Sequence, residues 1–528
     1  MTEKDGGAVA HHRTTRLTTG GTPPLVWPGV ACVLLSAVGM VVTAADFGAL
    51  WWLLPVALVP MIVAQYRLLP QRWAPAGVAV VGTAYWGALA LLSQGSYAPW
   101  WMGVLLATPA VAAVYLIAWA DLRLTQWTRY RFFLVQMPFV WVGLEVLLGL
   151  NPVFATNEWI GYRLQPAPWL IQPVSVLGTP TLGFLLLVLD YAAALLAIAL
   201  LDRRRAGTAA PGGAALAPHP ATGTGRPVAA LRPAVTGLAV ALTAAAAWCG
   251  AGLWILGEVR DTMGPSVRVA AVQAGIVLFE TPRADWESEI VEPLAGYTRQ
   301  AAERGARLVV WPEDVLPFDP RDDERIADIA RRNRVYLVAP FTVGQAPTSP
   351  NKALVLGPDG RTLGVYNKVH PVVVEGEGFH QPFLPLAFPA DFGTFGVAIC
   401  FDNHYLDVVP AIVGNGARLI AMPSLIWPGE ARNQLAEEVF RAVENRVAYV
   451  KAELGWSSAI VAPDGTVRAV TLPQEKPTWA LLVADVPLGP DHSPFTAVGR
   501  PLQWVYVAGL AAFAAAFVTL ALRRRAGS

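Results

Sequence analysis

The distribution of charge constrains this chain more than any other feature. Of its 77 Lys, Arg, Asp and Glu residues, 48 fall within residues 262–491, leaving 29 for the other 298 positions. Outside that segment lie eight apolar runs, at 25–45, 48–66, 76–93, 100–120, 132–150, 181–201, 233–256 and 504–522. Each is long enough to cross about 30 Å of hydrocarbon as a helix. With 54% hydrophobic and 15% charged residues and a mean hydropathy of +0.44, the chain is not wholly soluble. It divides into a membrane part and a charged part of 230 residues, large enough for its own core.

Seven spans before the charged segment place it across the membrane from the amino terminus, and the eighth returns the carboxyl terminus. Loop charge decides which side is which. The tail 1–24, Arg67, Arg72, Arg123, Arg129, Arg131, the linker 202–232 and Arg523, Arg524 and Arg525 carry 16 of the 19 basic residues outside the charged segment. The opposite loops carry only Arg163, Arg260 and Arg500. Both termini are therefore expected in the cytoplasm and residues 262–491 outside it. The polar tail lacks the order of a cleavable signal peptide, so the first run is expected to stay in the membrane. The linker's Ala-, Gly-, Pro- and Thr-rich stretch 206–225 reads as flexible. The loop 151–178, with Trp159, Tyr162 and Trp169, is expected at the membrane interface. Glu145 and Asp190 fall within spans and serve either function or bonding to a neighbouring helix. Three cysteines, Cys32, Cys249 and Cys400, support neither a disulfide framework nor a metal site. No basic stripe suggests nucleic acid.

Within the charged segment, short β-rich runs alternate with helical periodicity, which predicts a layered α/β fold. Strands are expected at 267–272, 307–311, 335–342, 353–356, 366–368, 396–400, 419–422, 448–451, 458–461 and 480–483. Helices are expected at 286–303, 325–333, 405–415 and 431–446. Pro-Asp-Gly turns at 358–360 and 463–465 punctuate them.

Three chemically able residues sit at strand ends: Glu313, Lys368 and Cys400. A thiol attacks an acyl carbon only as thiolate. A carboxylate can take its proton, and an ammonium can stabilise the tetrahedral oxyanion. No metal or cofactor is required. His404, at the entry to a helix, is either a rival base or a cap or solvated residue, and His370, which follows the lysine, is expected to fix a loop.

The pieces Trp311-Pro312-Glu313, Tyr366-Asn367-Lys368-Val369-His370 and Gly396-Val397-Ala398-Ile399-Cys400-Phe401-Asp402 resemble, in order, the Glu-Lys-Cys motifs of the nitrilase superfamily; Phe440 to Arg446 resembles the helix that follows them. A nitrilase-like domain between a bundle of spans and a closing span is the arrangement of the apolipoprotein N-acyltransferase family. Trp141-Val142-Gly143-Leu144-Glu145, Trp159-Ile160-Gly161-Tyr162 and Gly178-Thr179-Pro180 are similar to its membrane region. The resemblance implies a membrane part at 25–261, an extracytoplasmic αββα sandwich at 262–491 and a closing span and basic tail at 492–528. It implies Glu313 as general base, Lys368 as oxyanion stabiliser and Cys400 as nucleophile, supported by Glu377 or Glu375 and by Asp402. The family's usual Tyr-Glu after the cysteine is Phe401-Asp402 here, and the loop after Met422 lacks its usual Asn-Asp.

By the same resemblance, Cys400 takes an acyl chain from a phospholipid as a thioester. It then passes the chain to the α-amino group of a lipoprotein's diacylglyceryl-cysteine, in the cell membrane and without cofactor. The apolar insert 378–395 is a candidate lid, and Phe379, Phe383, Phe388, Trp427 and Trp159 are candidates to face lipid or substrate. A monomer is expected, with a glycosyltransferase or another lipoprotein-maturation protein as a candidate partner. The rival readings are a membrane-tethered amidase or nitrilase that passes the acyl group to water, and a silent scaffold.

Overall fold

The computed structural model describes residues 26–45, 50–94, 100–152, 155–156, 159–207, 228–276, 287–343, 350–372, 384–472, 476–490 and 493–526. Helix occupies all eight apolar segments. Five stretches, Val26–Ala44, Trp51–Leu68, Thr179–Ala206, Leu231–Thr262 and Pro494–Ala526, are long and apolar enough to cross a membrane. Their outer surfaces carry exposed Leu34, Leu35, Val240, Leu242, Leu253, Val505 and Val518, an apolar exterior that is stable when lipid covers it. The other three helices are Ala74–Gln94, Trp100–Thr128 and Gln136–Leu148. The last has 13 residues, shorter than the apolar run from 132 to 150 in which it lies. The chain turns at Arg129 and Tyr130, whose φ angles are 51° and 66°, and Gln136 Nε2 donates to Asp121 Oδ1 at 2.6 Å, so helix begins only at Gln136.

The two intramembrane acids bond neighbouring elements. The second segment is broken into Leu54–Ala57 and Val59–Val63, and at the break Leu58 N–H donates to Asp190 Oδ1 at 3.1 Å. Glu145 Oε1 accepts from the Trp141 indole at 3.0 Å and from Ile160 N–H at 3.1 Å. The final helix packs on Gln136–Leu148 at Gly143, where a Cβ would stand 2.7 Å from Tyr506 O. Small residues permit such close helix contacts in lipid.

The α/β part contains twelve strands: β1 (Ser266–Ala274), β2 (Leu308–Val310), β3 (Tyr336–Thr342), β4 (Asn351–Leu356), β5 (Thr362–Asn367), β6 (Ala387–Ala390), β7 (Gly393–Val397), β8 (Leu419–Ser424), β9 (Ala448–Glu453), β10 (Ala459–Val461), β11 (Val467–Val470) and β12 (Trp479–Pro487). They form two six-stranded sheets, ordered β12-β1-β2-β3-β4-β5 and β11-β10-β9-β8-β7-β6. Alternation along β1 sets the layers. Val267, Val269 and Ala271 join a core shared with Phe395, Val397 and Leu419 of the other sheet. Ala270 and Val272 instead meet Leu294, Ala301, Ile326 and Ile329, from the helices Glu292–Glu303 and Glu324–Asn333. The helices Val408–Gly414 and Ala431–Asn445 follow β7 and β8 and belong to the second sheet's side. The sequence pattern predicts neither β6 nor β11. β6 is four residues long and falls inside the insert expected to form a lid.

The loop 151–178 packs against the α/β part. Trp159 and Tyr162 are buried. The helix Ala431–Asn445 faces them with a fully buried ion network: Arg441 pairs with Glu444 and lies 3.5 Å from Glu437. Its Nη2 donates to Thr156 Oγ1 at 2.7 Å and Tyr162 Oη at 3.1 Å, and its Nε donates to Asn403 O at 3.1 Å. Glu444 Oε1 accepts from Thr179 N–H at 3.0 Å and Thr179 Oγ1 at 2.6 Å, so a carboxylate of the α/β part caps the positive end of the helix Thr179–Gly207. Replacing Arg441 by methionine would leave Glu437 and Glu444 buried without their common cation. We expect a loss of about 3–5 kcal/mol in the stability of the docked unit, read as a lower melting temperature and faster proteolysis of the full chain in detergent.

Candidate active site

Glu313 and Lys368 converge because two strand ends do. Trp311 prolongs β2, its N–H donating to Val338 O at 3.0 Å and its indole to Thr298 Oγ1 at 3.0 Å. Pro312 then breaks the ladder and delivers Glu313. Lys368 follows β5, its backbone N–H held by Asn351 O at 2.9 Å. Lys368 Nζ lies 2.8 Å from Glu313 Oε1, which also accepts from Asn351 Nδ2 at 2.7 Å. Both charged side chains are buried.

Cys400 sits at the elbow between β7 and the 3-10 helix Cys400–His404. Its φ is 43°, a left-handed conformation costing a non-glycine residue roughly 1–2 kcal/mol. Asp402 holds that elbow. Its Oδ2 accepts from Ile399 N–H at 3.1 Å and Tyr366 Oη at 2.8 Å; its Oδ1 accepts from Val369 N–H at 3.0 Å and His370 N–H at 2.8 Å. One buried carboxylate thus ties the cysteine elbow to the residues on either side of Lys368. The shorter side chain, where the family commonly has Glu, still reaches every one of these donors.

Burial pushes the Cys400 thiol well above its ordinary range, the negative charge of Glu313 pushes it further, and Lys368 pulls it back. The resting group is the thiol, and attack requires its proton to be removed. Cys400 Sγ lies 3.2 Å from Leu425 O. Gln434 Nε2 faces the sulfur at 3.8 Å. The amide is oriented because its oxygen accepts from Ser424 Oγ at 3.0 Å and Lys451 Nζ at 3.1 Å, while Lys451 pairs with Glu438 at 2.9 Å. Gln434→Glu would set a carboxylate oxygen against the sulfur, disfavouring the thiolate. We expect alkylation of Cys400 by iodoacetamide to slow about tenfold, read by mass spectrometry of the Cys400 peptide.

Sequence reasoning misses Asn351, Ser424, Gln434 and Lys451. The available signal was Gln434, Glu437 and Glu438 within the expected helix 431–446; the structure buries Ala431–Asn445 everywhere but at Arg432 and Leu435. His404 is neither a cap nor solvated: it is buried, with Nδ1 2.7 Å from Glu437 Oε2. His370 stacks on Tyr405 with 3.6 Å between centroids and places Nε2 2.9 Å from Asp407. Of the residues expected to face lipid or substrate, two are buried and do not face lipid. Phe388 lies on β6 and is buried against Phe395, because the hairpin turns it into the core. Trp159 is buried beside Tyr162 and Arg441, its indole donating to Glu145 O at 3.1 Å. Trp427 is half-buried, two residues beyond the carbonyl that meets Cys400. Glu375, Glu377, Phe379 and Phe383 lie outside the described residues.

Residues 268–489 match the carbon-nitrogen hydrolase family. A nitrilase from Pyrococcus abyssi is 30% identical over 31% of this chain and 71% of its own length. The chain belongs to the carbon-nitrogen hydrolase family. Relatives named apolipoprotein N-acyltransferase extend the likeness into the helical part. The protein of that name from Geobacter metallireducens is 28% identical over 89% of this chain and 91% of its own. The one from Gloeobacter violaceus is 28% identical over 83% and 84% respectively. As a carbon-nitrogen hydrolase family member, the chain is an enzyme of that superfamily built onto apolar helices.

Proposed function

We propose that the protein is a membrane N-acyltransferase that moves a fatty acyl chain from a phospholipid, through a thioester on Cys400, to the α-amino group of a lipoprotein's diacylglyceryl-cysteine. The observation that carries this reading is the likeness to relatives named apolipoprotein N-acyltransferase along about nine-tenths of both chains. The nitrilase likeness, by contrast, covers 31% of this chain. In the full topology the chain crosses the membrane eight times, with both termini cytoplasmic and the α/β part outside.

Glu313 takes the Cys400 proton as sulfur attacks the ester carbonyl, and the buried Lys368 ammonium stabilises the oxyanion. The C–O bond breaks, the proton passes to the departing alkoxide, and lysophospholipid leaves. The acceptor amine then attacks the thioester, the C–N bond forms, the C–S bond breaks and a proton returns to sulfur. The course is ping-pong. Docking through Arg441 and Glu444 holds the site against the ends of the helices, where an ester near the headgroups can reach it without extraction of the lipid.

The reading is tested on lipoproteins from cells that lack the protein. Mass spectra should show their terminal cysteine diacylated but with a free amine. Unchanged N-acylation, with no second enzyme able to supply it, would contradict the assignment. Purified protein that, given phospholipid and a diacylglyceryl peptide, releases free fatty acid with no N-acyl product would be a hydrolase.

A further inference from the structure

A cavity of about 310 Å³ opens between the turn that precedes the helix Ala74–Gln94 and the last turns of the helix Trp100–Thr128. None of its lining residues among those described belongs to the α/β part. Close to it in sequence, Arg67 is bound through Nε and Nη2 to Asp202 at 2.6 and 2.7 Å. Asp202 lies 23 residues along the helix whose first residue, Thr179, is held by Glu444. At 1.5 Å per residue that is about 35 Å, roughly the thickness of the hydrocarbon layer.

The cavity's chemistry has one sign. Arg72 and Arg123 line it, and among the described residues no carboxylate does. The two guanidinium groups lie over the Trp73 and Trp119 rings at 5.6 and 5.9 Å, and among the described residues neither takes part in a salt bridge. Gln126 also lines the cavity, and its buried Nε2 lacks a hydrogen-bond partner among the described residues. The nearby Asp121 is already engaged by Gln136 and Gln65.

The order of the lining residues identifies the occupant. Tyr115, Trp119, Leu122 and Gln126 follow one another at helical spacing along one face. That face passes from aromatic and aliphatic side chains to an amide and Arg123 as the helix nears its end. An amphiphile whose apolar chain lies along the helix and whose anionic head sits at its end matches this gradient. Two guanidinium groups and an amide donor suit the paired anionic oxygens of a phosphodiester, and basic pockets between membrane helices commonly hold such headgroups. We infer that this cavity binds one anionic phospholipid through its phosphodiester, at the membrane face opposite the α/β part. The inference rests on the membrane placement of the helices and not on the acyl-transfer reading.

The test uses the full chain purified in detergent, titrated with phosphatidylglycerol or phosphatidylcholine and read by native mass spectrometry. The wild-type protein should retain one phosphatidylglycerol in preference to phosphatidylcholine. R72Q/R123Q should weaken that binding about 30-fold, and R123Q alone should weaken it by an intermediate factor. Both side chains are exposed, so melting temperature and N-acyl transfer should be unchanged. Equal retention by wild-type protein and double variant, or no preference for the anionic lipid, would overturn the inference. Displacement of the lipid by excess glycerol 3-phosphate would assign the cavity to a soluble phosphate compound and overturn it equally.

Discussion

Replacing Cys400 by alanine is expected to lower N-acylation of a diacylglyceryl peptide at least about 10,000-fold, because the nucleophile that divides the reaction into two steps is gone. The fold should survive. Alanine bears the 43° φ angle as readily as cysteine does. Removing the sulfur forfeits only a weak thiol bond to Leu425 O and the 3.8 Å approach of Gln434, together about 1 kcal/mol. Serine should rescue little, since a hydroxyl is far harder than a thiol for a carboxylate to deprotonate. The measurement is the initial rate of the purified full chain on a phospholipid and a diacylglyceryl peptide, with melting temperature as the control. Full activity in the alanine variant would leave the chain a scaffold.

The second large effect is expected at Glu313. Glu313→Gln keeps the shape of the side chain and its hydrogen bond from Asn351, yet removes both the base and the countercharge of a buried lysine. Loss of a positioned general base costs about 100- to 10,000-fold, so thioester formation should fall by about 1,000-fold. Lys368 loses the carboxylate that lies 2.8 Å from its Nζ, which should also destabilise the site by up to about 3–5 kcal/mol. Adding Lys368→Met to Glu313→Gln separates the two effects. The double variant removes the lysine charge as well and should regain most of the stability, while activity stays no higher than in the single variant, since the oxyanion stabiliser is also gone. Recovery of activity together with stability would mean that Glu313 is an ion-pair partner and not a base, and that Lys368 does not stabilise the oxyanion.

The layers of the α/β part are legible because short β-rich runs such as β1 alternate along the chain with helices that carry a 3.6-residue period, such as Glu324–Asn333. The three strand-end residues are legible because Pro312 and the ends of β5 and β7 mark where side chains leave the ladders. What escapes is set by partners distant in sequence. Gln136 begins its helix late because Asp121 binds it, and nothing within 132–150 reveals that. Trp159 and Phe388 have the composition of lipid-facing aromatics, but Arg441 and the β6–β7 hairpin bury them. Gln434 is visible as a partner of the sulfur only once Ser424 and Lys451 are seen to fix its amide. Hydrophobicity in a membrane protein does not tell a side chain that meets lipid from one that meets another domain.

Whether Cys400 carries the acyl group is decided by intact-mass analysis of the full chain after incubation with phospholipid in the absence of acceptor. The protein should gain the mass of one fatty acyl chain, mapped to the Cys400 peptide, released by hydroxylamine, discharged by a diacylglyceryl peptide and absent from Cys400→Ala. An unmodified Cys400 in protein that still N-acylates the peptide, or an adduct that the acceptor does not discharge, would refute covalent catalysis at this cysteine.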